Sequence, residues 1–129
     1  MSEENVAALK DLYEQWTAGD WTDASLFDPY AVAVLPDPTP QPHYGVEALA
    51  AYTRRFLESW EDIRIEVTGY RDAENVVVAS VRLLGKGRSS GAETDYQATH
   101  VWTFRGKHVV RFEVFESEAE ALQAAGLSE

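Results

Sequence analysis

YQATHVWTFRGKHVVRFEVFE, residues 96–116, holds two runs of alternating character on either side of the tight turn Arg105-Gly106-Lys107. A strand sends successive side chains to opposite faces. Tyr96, Ala98, His100, Trp102 and Phe104 therefore share one face, and Gln97, Thr99, Val101 and Thr103 the other. In the second run Val110, Phe112, Val114 and Glu116 stand together, against Val109, Arg111, Glu113 and Phe115. The apolar faces predict a hairpin whose inner surface lines a hollow. Two ionisable groups, His100 and Glu116, fall on that otherwise apolar surface. Either one, buried charged and alone, would be strongly unfavourable, so each needs a partner, water or a shifted pKa.

Outward from this hairpin the same period of two extends back to Glu61. Ile63, Ile65 and Val67 alternate with Arg64, Glu66 and Thr68, and NVVVASVRLL (75–84) is nearly continuous apolar, as in a strand covered on both faces. Before Glu61 the period is helical. Val6, Leu9, Tyr13 and Trp16 make one apolar face over residues 3–18, and Gly19 fits a helix stop. Asp20 is expected to cap a short second helix over WTDASLF (21–27). A strand follows at 30–35. Gly45 opens a further helix with an apolar stripe of Val46, Leu49, Ala50, Thr53, Phe56, Leu57 and Trp60. Ser117-Glu118-Ala119-Glu120 fits a capping box and starts a last short helix. The order ααβαββββα predicts an α+β fold: a single domain, residues 1–129, in which a curved, mixed or antiparallel sheet wraps as a cone-shaped half-barrel around the N-terminal helices.

Four of the five prolines, Pro36, Pro38, Pro40 and Pro42, alternate through PDPTPQPH (36–43). Such a segment can be neither helix nor central strand, because proline offers no ladder N–H. Its stiffness would hold Asp37 at a pocket mouth as a preorganised base; the plainer reading is a rigid surface loop that blocks edge pairing. Gly85, Gly87 and Gly91 resemble a phosphate-cradling turn only superficially. Strands lie on both sides where a dinucleotide site needs a helix after the glycines, so GKGRSSGAETD (85–95) reads as a hairpin loop.

Composition narrows the function classes. The net charge of −11 and the scattered basic residues oppose nucleic acid and anionic membranes alike. The absence of cysteine removes disulfides, thiolate nucleophiles and cysteine metal sites. The three histidines lack metal-site spacing, and neither metal nor cofactor is expected. No apolar run approaches a membrane span, and MSEENVAAL lacks the features of a signal peptide, so a cytoplasmic location is expected.

LYEQWTAGD (12–20), DPYAVAVLPDP (28–38), HYGVEALAAYTRRFLESW (43–60), THVWTFRGKHVVRFEVF (99–115) and EAEALQAAGL (118–127) together resemble the SnoaL-like polyketide cyclase family of the nuclear-transport-factor-2-like (ketosteroid-isomerase-like) superfamily. The resemblance spans essentially the whole chain. It implies a cone with one deep, largely apolar pocket and a homodimer packed through the sheet. Carried over by position, the ketosteroid isomerase phenol falls at Leu12, which has no hydroxyl; its neighbour Tyr13 points elsewhere on the helix. The isomerase base matches Asp37, its second acid matches His100, and a pocket tryptophan matches Glu116. SnoaL-type cyclases have an acidic base at the position of His100.

Two functions follow. One is cofactor-free acid/base isomerase, cyclase or hydrolase chemistry on a small hydrophobic molecule, with Asp37 moving the proton and His100 and Glu116 assisting. The other is a noncatalytic ligand-binding or dimerisation module, in which His100 is a hydrogen-bonded core histidine or an orienting donor and Glu116 a rim carboxylate. Candidate ligand contacts are Tyr13, Trp16, Phe56, Trp60, Tyr96, Trp102 and Phe112; the plainer role for such aromatics is core packing. The expected dimer face carries Val101, Val109 and Phe115.

Overall fold

A computed structural model describes residues 2–36 and 39–127. The chain runs α1 (Ser2–Thr17), β1 (Phe27–Pro36), β2 (Pro40–Tyr44), α2 (Val46–Glu58), β3 (Trp60–Ala73), β4 (Val76–Gly87), β5 (Glu93–Arg105), β6 (His108–Phe115) and α3 (Glu118–Ala124). The strands form one sheet in the order β2-β1-β6-β5-β4-β3. Only β1 and β6 pair in parallel; every other neighbour is antiparallel.

The sheet is mixed and open, and it curls around the helices: Tyr52, Thr53 and Phe56 of α2 share one cavity with Leu35 of β1 and Ile65 of β3. Register shifts in β1, β3 and between β5 and β6 supply local bending. α1 lies in the concavity, with Leu9, Leu12 and Tyr13 buried against Ile65, Val77, Ala79, Trp102 and Phe112. The α+β half-barrel read from the sequence is the observed architecture.

Two local expectations are corrected. Residues 20–26 are not a helix. Asp20 Oδ1 accepts from Thr22 N at 3.1 Å and Thr22 Oγ1 at 2.8 Å, and Asp23 Oδ1 accepts from Ser25 N at 2.9 Å. These short polar side chains satisfy nearby backbone themselves and so compete with a helical ladder. The proline stretch, in turn, contributes a strand. β2 is an edge strand bonded to β1 alone, the position where missing N–H groups cost least.

The outer face of the sheet also differs from expectation. Val101 and Phe115 point outward, but the chain's own α3 covers them, forming a second small core with Val78, Ala121 and Leu122. Val109 is wholly buried in the inner core. The register shift between Thr103 and Phe104 pairs Phe104 with Val109 and turns Val109 inward. Of the three residues expected at a dimer interface, Val101 and Val109 are buried within the chain and Phe115 is half-buried against α3. The cap of α3 forms as read: Ser117 Oγ accepts from Glu120 N at 3.2 Å.

Candidate functional site

The inner face of β5 presents Ala98, His100, Trp102 and Phe104, all buried, as its alternation requires. His100 is 5% exposed in an environment of rings: Phe112 meets it edge-on at 5.0 Å, and Phe112 stacks on Trp102 at 4.2 Å. Its polar partner comes from α1. Tyr13 Oη lies 2.6 Å from His100 Nδ1, and Trp102 Nε1–H donates to the same Tyr13 oxygen at 2.8 Å.

An indole nitrogen can only donate, so Tyr13 Oη accepts from Trp102. Of the two neutral tautomers of His100, the one with Nδ1 as acceptor is the one that also gives the phenol hydrogen a partner, and in it the ring proton is on Nε2. Burial pushes the imidazole pKa down to about 3, and desolvation carries the Tyr13 phenol well above its ordinary range. Near neutral pH the trio is uncharged. Among the described residues, Nε2–H has no hydrogen-bond partner.

His100 forms part of the wall of a cavity of about 90 Å³. Leu35, Ile65, Leu83 and Phe112 are its buried lining, while Trp16, Trp21, Pro36, Tyr52, Thr53, Phe56 and Val114 are half-buried. Tyr96, 38% exposed, stands at the rim. Burial raises its phenol pKa, and the charge of Glu116 adds to the effect. The volume is below the roughly 300–1,000 Å³ of drug-sized pockets and suits a single small ring.

Of the aromatic residues read as ligand contacts, Trp16, Phe56, Tyr96 and Phe112 line this cavity. Tyr13 and Trp102 are buried behind its wall, and Trp60 lies outside it, packed on Phe56 at 6.0 Å. Tyr13, read as a ligand contact off the isomerase phenol position, does not line the cavity; its hydroxyl instead holds His100. Glu116 is exposed beyond the end of β6 and is not part of the lining. Asp37 lies outside the described residues; its chain neighbour Pro36 is in the wall.

Sequence reading missed Trp21, Leu35, Pro36, Thr53, Ile65 and Leu83 as lining, while Val114 stands on the face it placed inward. Alternation along β1 could have found Leu35, which follows Ala31 and Ala33 on the buried face. Tyr52 and Phe56, one helical turn apart, stack at 6.4 Å and 12°. Trp21 was hidden by its assignment to a helix. Among the described residues no group of three His, Cys, Asp or Glu side chains could hold a metal, and no helix is long and apolar enough to cross a membrane.

No curated protein matches the sequence. Solved structures similar to the fold include a protein named as a SnoaL-like polyketide cyclase from Jannaschia sp. CCS1, with TM-score 0.81 and 20% identity, covering 96% of this chain and 92% of that one. An NTF2-like protein of unknown function from Burkholderia pseudomallei K96243 gives TM-score 0.80 and 19% identity over 95% and 97%. A protein with a ketosteroid isomerase-like fold from Catenulispora acidiphila DSM 44928, solved with trimethylamine, gives 0.70 and 17% over 92% and 94%. At these identities the likeness shows the fold alone. The sequence profile of the SnoaL-like domain matches residues 9–112, from the middle of α1 to the buried part of β6. With most of its length matched, the chain belongs to the SnoaL-like domain family.

Proposed function

We propose that the cavity binds a small, neutral, ring-bearing hydrophobic molecule, and that His100 orients it by donating Nε2–H to a carbonyl or similar oxygen. The observation that carries this reading is the chain Trp102 to Tyr13 to His100, ending at the wall of an otherwise apolar cavity. An imidazole held neutral is a poor proton carrier at pH 7 and a good fixed donor. Such a donor is more effective in a dry site than in water. The described lining contains no carboxylate, so binding and orientation need nothing more from the chain.

Cofactor-free isomerase, cyclase or hydrolase chemistry would add a base. Asp37 is the candidate, favoured by the place of Pro36 in the cavity wall. In that case His100 polarises the substrate oxygen and does not itself shuttle the proton, while Glu116 acts only through its charge near Tyr96.

A titration of ¹⁵N-labelled protein with acetophenone tests the binding reading. The His100 Nε2–H resonance is expected to shift while Nδ1 keeps its acceptor signature; cavity resonances unmoved at millimolar ketone would overturn it. Turnover of a ring ketone, if found, should fall by orders of magnitude in Asp37→Asn, and undiminished turnover removes Asp37 as base.

A homodimer of this chain would pack through the part of the outer sheet that α3 leaves open. There Tyr30 and Tyr44, 87% and 71% exposed, flank Val32 and Val34.

A further inference from the structure

A second cavity, of about 310 Å³, lies against α2. Its walls are Val46, Leu49, Ala50, Arg54 and Leu57 of α2 together with Phe27 and the 21–24 loop. Three residues, Trp16, Trp21 and Thr53, belong to both this groove and the His100 cavity. The two spaces are therefore neighbours through one thin wall. Most of that wall is the indole pair Trp16 and Trp21, stacked at 4.8 Å and 9°.

The two indoles are held unequally. Trp16 is on α1 and also meets Tyr13 edge-on at 5.3 Å and Trp102 at 6.1 Å. Trp21 is on the loop that follows Gly19, a residue at φ +97°. Its ring contacts are Trp16 and, at 6.4 Å, Phe56. The groove's other wall is an amphipathic helix with no fully buried residue. An apolar helix face normally seeks a covered stripe; here Val46, Leu49 and Leu57 border open space.

We propose that Trp21 is the specificity-determining residue of the site. Its indole confines the ligand to one ring in the His100 cavity, and the groove under α2 is a second compartment that a fused second ring of the same ligand occupies once that indole is absent. The inference rests on the binding reading above and adds the length limit and the residue that sets it. Continuity of the two spaces through shared residues identifies the occupant: an apolar ring attached to a ligand whose oxygen already faces His100. Joined, the compartments reach the size range of ordinary ligand pockets, roughly 300–1,000 Å³.

The test compares acetophenone with 2-acetylnaphthalene on wild-type protein, Trp21→Ala, and Trp21→Ala combined with Ala50→Phe, by calorimetric titration. Wild type is expected to bind the one-ring ketone more tightly. Trp21→Ala should gain about tenfold or more for the two-ring ketone, as an additional buried ring warrants, and lose affinity for the one-ring ketone, because the indole also lines the His100 cavity. Ala50→Phe, which fills the groove from α2, should cancel the gain. If Trp21→Ala binds one ring and shows no preference for two, the partition is overturned and the binding reading stands. If no variant binds either ketone, the binding reading fails and takes the inference with it. Trp21→Leu, which keeps an apolar side chain on the loop, provides a folded variant should the alanine form melt below the assay temperature; the same gain is expected, and its absence overturns the partition.

Discussion

At His100 the folded chain keeps neutral a ring that ordinary solution conditions protonate below about pH 6.5. Its pKa in the fold is about 3, lowered by burial. Above pH 6.5 both folded and unfolded forms are neutral and the group gives stability no pH dependence. Between 6.5 and 3 the unfolded chain takes up a proton that the folded chain refuses, so stability falls as pH falls, by about 1.4 kcal/mol per unit. Urea unfolding at pH 7.5 and 5 should show a loss of about 2 kcal/mol in wild type that is missing in His100→Gln; parallel profiles would mean that His100 is hydrated. Tyr13 is the second residue to test. Tyr13→Phe leaves both Trp102 Nε1–H and His100 Nδ1 unpaired in the core, and a loss of roughly 2–4 kcal/mol is expected in denaturant unfolding. A loss under about 0.5 kcal/mol would show that the two groups re-pair. The place of His100 was legible because Ala98, Trp102 and Phe104 recur at every second position around it. Its partner was not, since the Tyr13 hydroxyl lies 87 residues away in sequence and meets it only across the sheet–helix interface.

The three helices are held by different physics. α3 is short, yet Ala121 and Leu122 are buried against Val78 and Val101. Leu122→Ala should cost about 2–4 kcal/mol, the range for a buried leucine, while Leu49→Ala on half-buried α2 should cost about 1 kcal/mol or less. Urea melts of the two variants check the contrast, and equal losses would mean that α2 is packed as tightly as α3. Elements with a strong local signal, α1, α2, the β3 to β6 meander and the capped α3, were all readable from their periods. The two that misread were governed by competition. Asp20 and Asp23 spend their oxygens on turns and leave no helix, and the prolines of β2 are tolerated because its outer edge needs no partner. Likewise the shift at Thr103/Phe104 is a single-residue event that reverses the face of Val109 without a trace in composition.

For the molecule as a whole, the position of α3 decides where another copy could pack. With Val101 and Val109 buried and Phe115 half-covered by α3, the proposed dimer uses the face bearing Tyr30, Val32, Val34 and Tyr44. Light scattering at micromolar concentration should give a mass near 29 kDa, twice the 14.4 kDa chain, and Tyr44→Asp should shift it to the monomer. A monomeric wild type would end the proposal. The sequence by itself determined the class of fold, the inward face of β5 and the presence of an imidazole there, because hydrophobic period is a local property that burial enforces along each element. Tertiary structure alone decided the hydrogen-bond partner of that imidazole, the size of the cavity and the indole pair beside it. Those depend on side chains brought together from α1, the 20–26 loop, α2 and the sheet, whose contacts are set by curvature and packing and are invisible to any repeat along the chain.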